Sequence, residues 1–407
     1  MKVIYLTAEG FDTPNPNNQL AMTMIDDFLN AGIEVHMISS RRKAINPDIP
    51  DILKDRNGFT VDIIDRPVVD KSHFVTRYLE ETLYSFKAMS KWLKIRKNID
   101  MVLVQSCPTV LSPMFLLKFL LRKPIIYSIF DVFPGSANDI GVIRNKNVYN
   151  ILAILQKFVY KFSDKVVVIS SDMKKKVTEE KVDEEKIRVI PNWYDENSVI
   201  EIDSSKNKFI QKYNIDTNKF YVQFAGTLGY VFDYKMVLDV AERLKGETNI
   251  VFQMIGDGNI KKQFMNETEE RGLSNIVFYP LQPLEIVPDV YSACSLCFIP
   301  LKKGVIGNGV PSKAYLLMAC RRVVLNSVEE DSDYYKMFND NNIGVSVPNS
   351  DPVKVAEKIQ YLYNNQEKLL IMAENAKRFG EKHYTRKVNT QKFISLFNEI
   401  YHREGRS

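Results

Sequence analysis

Within the predicted strand 165–169, residues 166–169 read Val-Val-Val-Ile, an apolar run without polar alternation. A strand of that composition shows water neither face, so helices must cover both sides of its sheet. The same demand recurs along the chain. Short runs rich in β-branched residues at 3–6, 33–38, 59–64, 101–104, 124–128 and 187–190 predict further strands. Helical patterns lie between them, for example 19–30, which is closed near Gly32. That alternation predicts a parallel, doubly wound sheet.

The pattern is interrupted once. Pro191-Asn192-Trp193-Tyr194-Asp195 leads into the polar stretch 201–208, and proline, turn formers and charge together predict a domain boundary. Strands then resume at 220–225, 250–255, 275–278, 296–299, 323–325 and 344–347, with helices at 233–245, 259–270 and 312–318 between them. A helical tail follows at 353–364, 367–383 and 387–401. The expected architecture is α/β: two doubly wound Rossmann-like domains, 1–198 and 199–383, facing across a cleft, with ligands at the carboxyl ends of the strands. No short tandem repeat of the solenoid type is present.

Composition narrows the function classes. The 407 residues carry 55 basic and 50 acidic side chains, too even a balance for an obligate nucleic-acid binder. Four cysteines make no disulfide framework. Met1 runs directly into an apolar strand without a secretory signal, and the longest apolar stretch, 110–121, falls short of the roughly 20 residues needed to span a bilayer. A cytosolic protein is expected.

Three glycine-bearing segments are candidates for anion binding. Phe224-Ala225-Gly226-Thr227-Leu228-Gly229 ends one predicted strand, and Ile255-Gly256-Asp257-Gly258 ends the next. Glycines there let backbone amides approach a phosphate; a plain tight turn is the alternative. Ile306-Gly307-Asn308-Gly309-Val310-Pro311-Ser312-Lys313 runs a glycine loop into a helix, after Lys302 and Lys303. Its first turn is expected to offer Ser312, Lys313 and free amides to an anion, with Ser312 as a mere N-cap in the alternative. In the first domain, Asp131 follows the strand 124–128, where a carboxylate serves as a base, a sugar-hydroxyl ligand or a cap. Asn17, in Pro14-Asn15-Pro16-Asn17-Asn18, is a candidate ligand of the first loop or a helix cap.

Other motifs carry less. Cys294 and Cys297 have the spacing of half a zinc site, but without a second pair they belong in the core. Asp331-Ser332-Asp333 lies in an acidic run and reads as solvated. The four histidines form no ligand pattern, and neither a Gly-x-Ser-x-Gly elbow nor a Walker loop occurs. Segment 71–161 holds fourteen basic against five acidic residues. Within it, 74–95 predicts a helix with Val75, Tyr78, Leu79, Leu83, Phe86 and Leu93 on one face and Lys87, Lys91 and Lys94 on another, flanked by Tyr84 and Trp92. Either the apolar face packs in the core, or the helix lies on a membrane surface.

In this order, Val189-Ile190-Pro191-Asn192-Trp193, Phe224–Gly229, Ile255–Gly258, Gly309-Val310-Pro311-Ser312-Lys313 and Asp131-Val132-Phe133-Pro134 resemble the family 4 glycosyltransferases of the GT-B architecture. The likeness is greatest to the bacterial branch that builds capsule, O-antigen and exopolysaccharide. It implies a retaining, metal-independent sugar transfer from a nucleotide diphosphate donor, with no other cofactor. The second domain would hold the donor and the first a lipid-linked or oligosaccharide acceptor at the inner leaflet, with a C-terminal helix, 384–407, completing the first domain. Carried over by position, Gly226, Thr227 and Gly229 would line the diphosphate, and Gly256, Lys302, Gly307 and Gly309 would belong to the nucleotide-sugar site. Ser312 and Lys313 would reach phosphate or ribose, Gln282 the base, and Asp131 matches a position that is a catalytic His in some relatives. Tyr230 and Asp233 stand in the stretch where the family has Arg and Lys, with Lys235 nearby, and Asn308 and Leu316 replace its paired glutamates. A non-catalytic companion of an active transferase fits the same outline. So does a sugar-nucleotide epimerase, although no histidine is placed to serve it.

Overall fold

The computed structural model describes residues 1–11, 16–42, 49–67, 74–95, 98–105, 122–139, 141, 143 and 145–404. The chain divides into two compact units. Unit 1 comprises Met1–Asn192, Gly307–Gly309 and Arg386–Ser407, and unit 2 comprises Trp193–Ile306 and Val310–Thr385.

Unit 1 is a seven-stranded parallel sheet. Its strands are β1 (Lys2–Leu6), β2 (Glu34–Arg42), β3 (Phe59–Arg66), β4 (Met101–Gln105), β5 (Ile125–Ser128), β6 (Lys165–Val168) and β7 (Ile187–Val189). The spatial order is β3-β2-β1-β4-β5-β6-β7. Val166, Val167 and Val168 are fully buried, as a strand covered on both faces requires. Helix α1 (Pro16–Asn30) links β1 to β2, α2 (Phe74–Ile95) links β3 to β4, and the short α3 (Gly135–Asp139) precedes α4 (Lys146–Phe162) between β5 and β6. Helix α5 (Ser171–Glu179) follows β6.

Unit 2 holds six parallel strands: β8 (Phe220–Ala225), β9 (Ile250–Ile255), β10 (Ile276–Tyr279), β11 (Leu296–Pro300), β12 (Val323–Val328) and β13 (Gly344–Pro348). Their order is β10-β9-β8-β11-β12-β13. Alternate residues of β8 serve opposite cores. Phe220, Val222 and Phe224 join Phe252, Phe264 and Phe298 on one face, while Tyr221 and Ala225 join Cys297, Ile299 and Phe338 on the other. The helices are α6 (Lys208–Tyr213), α7 (Tyr234–Arg243), α8 (Lys261–Glu270), α9 (Val287–Ser292), α10 (Lys313–Ala319), α11 (Asp333–Asp340), α12 (Pro352–Asn364) and α13 (Gln366–His383).

The strand order reverses direction between β8 and β11, and the crevice outside the carboxyl ends at such a reversal is where open α/β sheets take ligands. The loops after these two strands are the Gly226–Gly229 segment and the 301–312 segment. Helix α14 (Arg386–Glu404) leaves unit 2 and completes unit 1. Arg386 bridges Asp26 and Asp27 of α1, each at 2.6 Å, and Phe397 packs on Phe28 with ring centres 4.9 Å apart.

The helix expected at 74–95 forms, and of the two readings of its apolar face, packing in the core is not the one met. Leu79, Leu83 and Phe86 are exposed. The buried side instead carries Tyr84, Ala88 and Glu80. Glu80 forms a two-pronged pair with Arg66 at the end of β3, and the Tyr84 hydroxyl donates to the Thr7 carbonyl. A buried ion pair and a tyrosine handle chose the inward face, and hydrophobicity alone pointed the other way. Among the described residues no helix is long and apolar enough to cross a membrane.

Candidate active site

The glycine loops of unit 2 are built by backbone packed on backbone. Gly226 and Gly256 both have φ +145, in the region that favours glycine. A side chain on Gly256 would run into the Gly226 carbonyl. Hydrogen bonds then tie the loops together: Gly226 N donates to the Ile255 carbonyl at 2.9 Å, and Leu228 N to that of Asp257 at 2.9 Å. Among the described residues, the Thr227 and Gly229 amides donate to no protein acceptor. Unpaired amides on a rigid turn at a strand's end are an anion-binding device. Gly229 needs no special backbone angle, so its lack of a side chain serves access rather than strain.

Lys313 supplies the charge. A side chain on Gly226 would begin 2.7 Å from Lys313 Nζ. The ammonium sits 3.7 Å from the centre of the Phe224 ring, a cation–π contact. No carboxylate pairs with it among the described residues. Crowded by protein and stripped of water, the amine has its pKa lowered from 10.5 to about 8, with the nearby Cys297 thiol opposing that shift slightly. A cation in such a setting gains most from an incoming anion.

Helix α10 departs from expectation at its start. It begins at Lys313, and Ser312 occupies the cap position without a side-chain capping bond. The Ala314 and Tyr315 amides already donate to the Pro311 and Ser312 carbonyls, so the first turn offers fewer free amides than expected. Lys302 is exposed, and its backbone amide donates to Val231 at 3.0 Å, joining the β8 and β11 loops. Gln282 follows β10, buried, with its amide engaged by Tyr213, Lys212 and the Pro280 carbonyl. In this state it makes no outward contact.

Gly307 and Gly309 belong with unit 1. The Asn308 carbonyl between them accepts from Val132 N at 2.8 Å. A side chain on Gly309 would begin 3.1 Å from Asp131 Oδ1. Asp131 reaches solvent yet is closely surrounded, and the resulting desolvation raises its carboxyl pKa. Asn17 stands in the first turn of α1, and it is its neighbour Asn18 that holds the Gly10 carbonyl.

The remaining motifs sort as their surroundings dictate. Cys294 and Cys297 are buried free thiols whose pKa values burial pushes up, to about 12 for Cys294. Ser332 caps α11 by accepting from Tyr335 N. Tyr230 is exposed, Asp233 caps α7, and Leu316 packs against the core. Two site residues escaped the sequence. Lys261, the first residue of α8, donates from Nζ to the Gly256 carbonyl at 2.8 Å, and Glu329, just after β12, accepts from Gly304 N at the root of the β11 loop. Lys261 had a signal in its position five residues past Gly256; Glu329 lay in an acidic run without one.

Two family models match the chain in tandem: Glycosyltransferase Family 4 over residues 18–198, and Glycosyl transferases group 1 over 205–379. The chain is 28% identical over 297 residues to "Probable glycosyltransferase WbjE" of Pseudomonas aeruginosa, covering 72% of this chain and 73% of that one. It is 26% identical over 182 residues to "O-antigen chain mannosyltransferase C" of Escherichia coli, covering 44% and 46%. Among solved structures, Anabaena Alr3699/HepE in complex with UDP and glucose superposes with a TM-score of 0.74 at 13% identity, over 98% of this chain and 100% of that one.

Proposed function

Because the chain is a family 4 glycosyltransferase of the GT-B fold, we propose that unit 2 holds a nucleotide diphosphate sugar and that unit 1 receives a lipid-linked or oligosaccharide acceptor in surface polysaccharide assembly. One observation carries the donor assignment: the unpaired Lys313 ammonium beside Gly226, with the Thr227 and Gly229 amides alongside. A diphosphate is the ligand that uses a cation and main-chain donors together. HepE, whose fold this chain shares, was solved with UDP and glucose. The likeness to an O-antigen chain mannosyltransferase and the exposed apolar and basic surface of unit 1 support the acceptor class and work at the inner leaflet.

In the transfer, the bond from the anomeric carbon to the diphosphate breaks, and its electron pair goes to the departing phosphate oxygen. Lys313 and the amides stabilise that charge without a metal ion. The acceptor oxygen forms the new bond on the same face, and its proton passes to the departing oxygen, so the configuration is retained. Asp131 positions a sugar hydroxyl in unit 1.

A nucleotide-sugar panel with and without anionic vesicles carrying polyprenyl-linked acceptors, read as released nucleoside diphosphate, tests the proposal. Release abolished by Lys313→Ala and weakened by Asp131→Ala is expected. Leu316, partly buried against the core where the family has a glutamate, favours one second reading, a non-catalytic companion. Tight donor binding without release under any condition would identify that companion.

A further inference from the structure

We propose that α4 is a membrane-docking element, its outer face seated in the headgroup zone of an anionic bilayer. This deepens the inner-leaflet part of the proposed function by naming the surface. Helix α4 is apolar on two sides. Leu152, Gln156, Val159 and Tyr160 face inward, where Tyr160 and Gln156 meet Tyr127 of β5. At about 100° per residue, Ile151, Ile154 and Phe158 fall on the outward side, whereas Val148 lies near Val159 on the edge of the inward face. The three outward residues are 58%, 55% and 47% exposed. A helix that packs one side in its own core and leaves an apolar stripe on the outside has a second solvent to meet.

Charge selects the occupant. Helix α4 carries Lys146, Lys157 and Lys161 and no acidic residue, and all three lysines are exposed along one flank of the apolar stripe. Lys157 makes a loose pair with Glu180 at 3.6 Å. A second copy docked through the same stripe would bring two lysine-flanked faces together, whereas anionic headgroups match them. Helix α2 also exposes Leu79, Leu83 and Phe86, beside an exposed Lys87, while its Lys91 pairs with Asp62 of β3 at 3.2 Å. Both helices make crossovers in the same direction along the sheet, and right-handed connections put them on the same side of it.

Flotation of the full chain with phosphatidylcholine vesicles, with and without about a third phosphatidylglycerol, tests the surface. Partitioning on the order of a hundredfold stronger onto the anionic vesicles is expected, falling with salt. The double change Ile151→Ser with Phe158→Ser should weaken it by roughly a hundredfold, and Lys157→Ala with Lys161→Ala by roughly tenfold. Thermal unfolding and UDP binding should stay unchanged, since these side chains point away from the core and the donor loops. Equal binding of neutral vesicles, no binding at all, or undiminished binding of the serine variant would overturn the assignment. So would a wild-type dimer that the serine variant turns into monomers, because a second copy would then be the occupant. UDP binding measured alongside separates the two proposals: flotation without it sinks the donor site alone, and the reverse sinks the docking surface alone.

Discussion

The two units share one architecture and invest it differently. In unit 2, the edge at the carboxyl ends is made of main chain: Gly256 against the Gly226 carbonyl, and Leu228 N on Asp257. In unit 1 the corresponding edge relies on side chains, with Arg66 held by Glu80, Tyr84 on Thr7 and Asp131 in a crowded recess. Main chain is the same in any sequence and suits a group that never varies, such as a diphosphate. Side chains are replaceable, and a unit that must fit a particular acceptor gains from that.

The sharpest way to break this contrast is to remove the side chain that brings a positive charge to the glycine loops of unit 2. Lys313→Ala should lower kcat/KM for sugar transfer by roughly 10²–10³, about 3–4 kcal/mol of transition-state stabilisation. A loss below tenfold would move the diphosphate elsewhere. Gly256→Ala should destabilise the fold by about 3 kcal/mol, seen in thermal unfolding, because its methyl has nowhere to go without displacing the Gly226 carbonyl. Full stability would show that the loops are pliable. In unit 1, Asp131→Asn should reduce kcat by about tenfold to a hundredfold while leaving UDP affinity unchanged; weakened UDP binding would contradict the division of labour.

Protons sharpen the same point. The Lys313 pKa falls to about 8 in the folded chain from 10.5, so the unfolded chain binds more protons between those values. Its charge costs stability in full below about pH 8, and stability rises with pH as that cost is relieved toward 10.5. A bound diphosphate restores the charge, so UDP binding near pH 8.5 should take up a fraction of a proton. Calorimetry in buffers of different ionisation enthalpy measures it, and zero uptake would mean that Lys313 does not touch the ligand. The smallest effect belongs to Lys302→Ala. Its exposed side chain has no described partner, and a change within about threefold in KM is expected.

The strand positions and the parallel, doubly wound class were legible because buried β-branched runs admit few alternatives. The glycine loops were legible as loops, but the meeting of Gly226 with Lys313 joins positions far apart in sequence and depends on the β8–β11 adjacency. That α2 would turn Glu80 inward was not legible, since no hydrophobic pattern announces that Glu80 will find Arg66. Asn308, set in a segment otherwise continuous with unit 2, gave no hint that its carbonyl would bind Val132 in unit 1.

Helix α14 bears on the order in which the molecule is made. Its Arg386 clamp on Asp26 and Asp27 joins two of the earliest-synthesised acidic residues to a segment translated some 360 positions later. Every part of unit 2 emerges from the ribosome before that clamp can close. The unit begun first is therefore finished last, and its α1 surface, with Phe28 awaiting Phe397, stays uncovered throughout synthesis. A chain released about twenty residues early would carry a finished unit 2 and an unfinished unit 1, and chaperones would meet the latter.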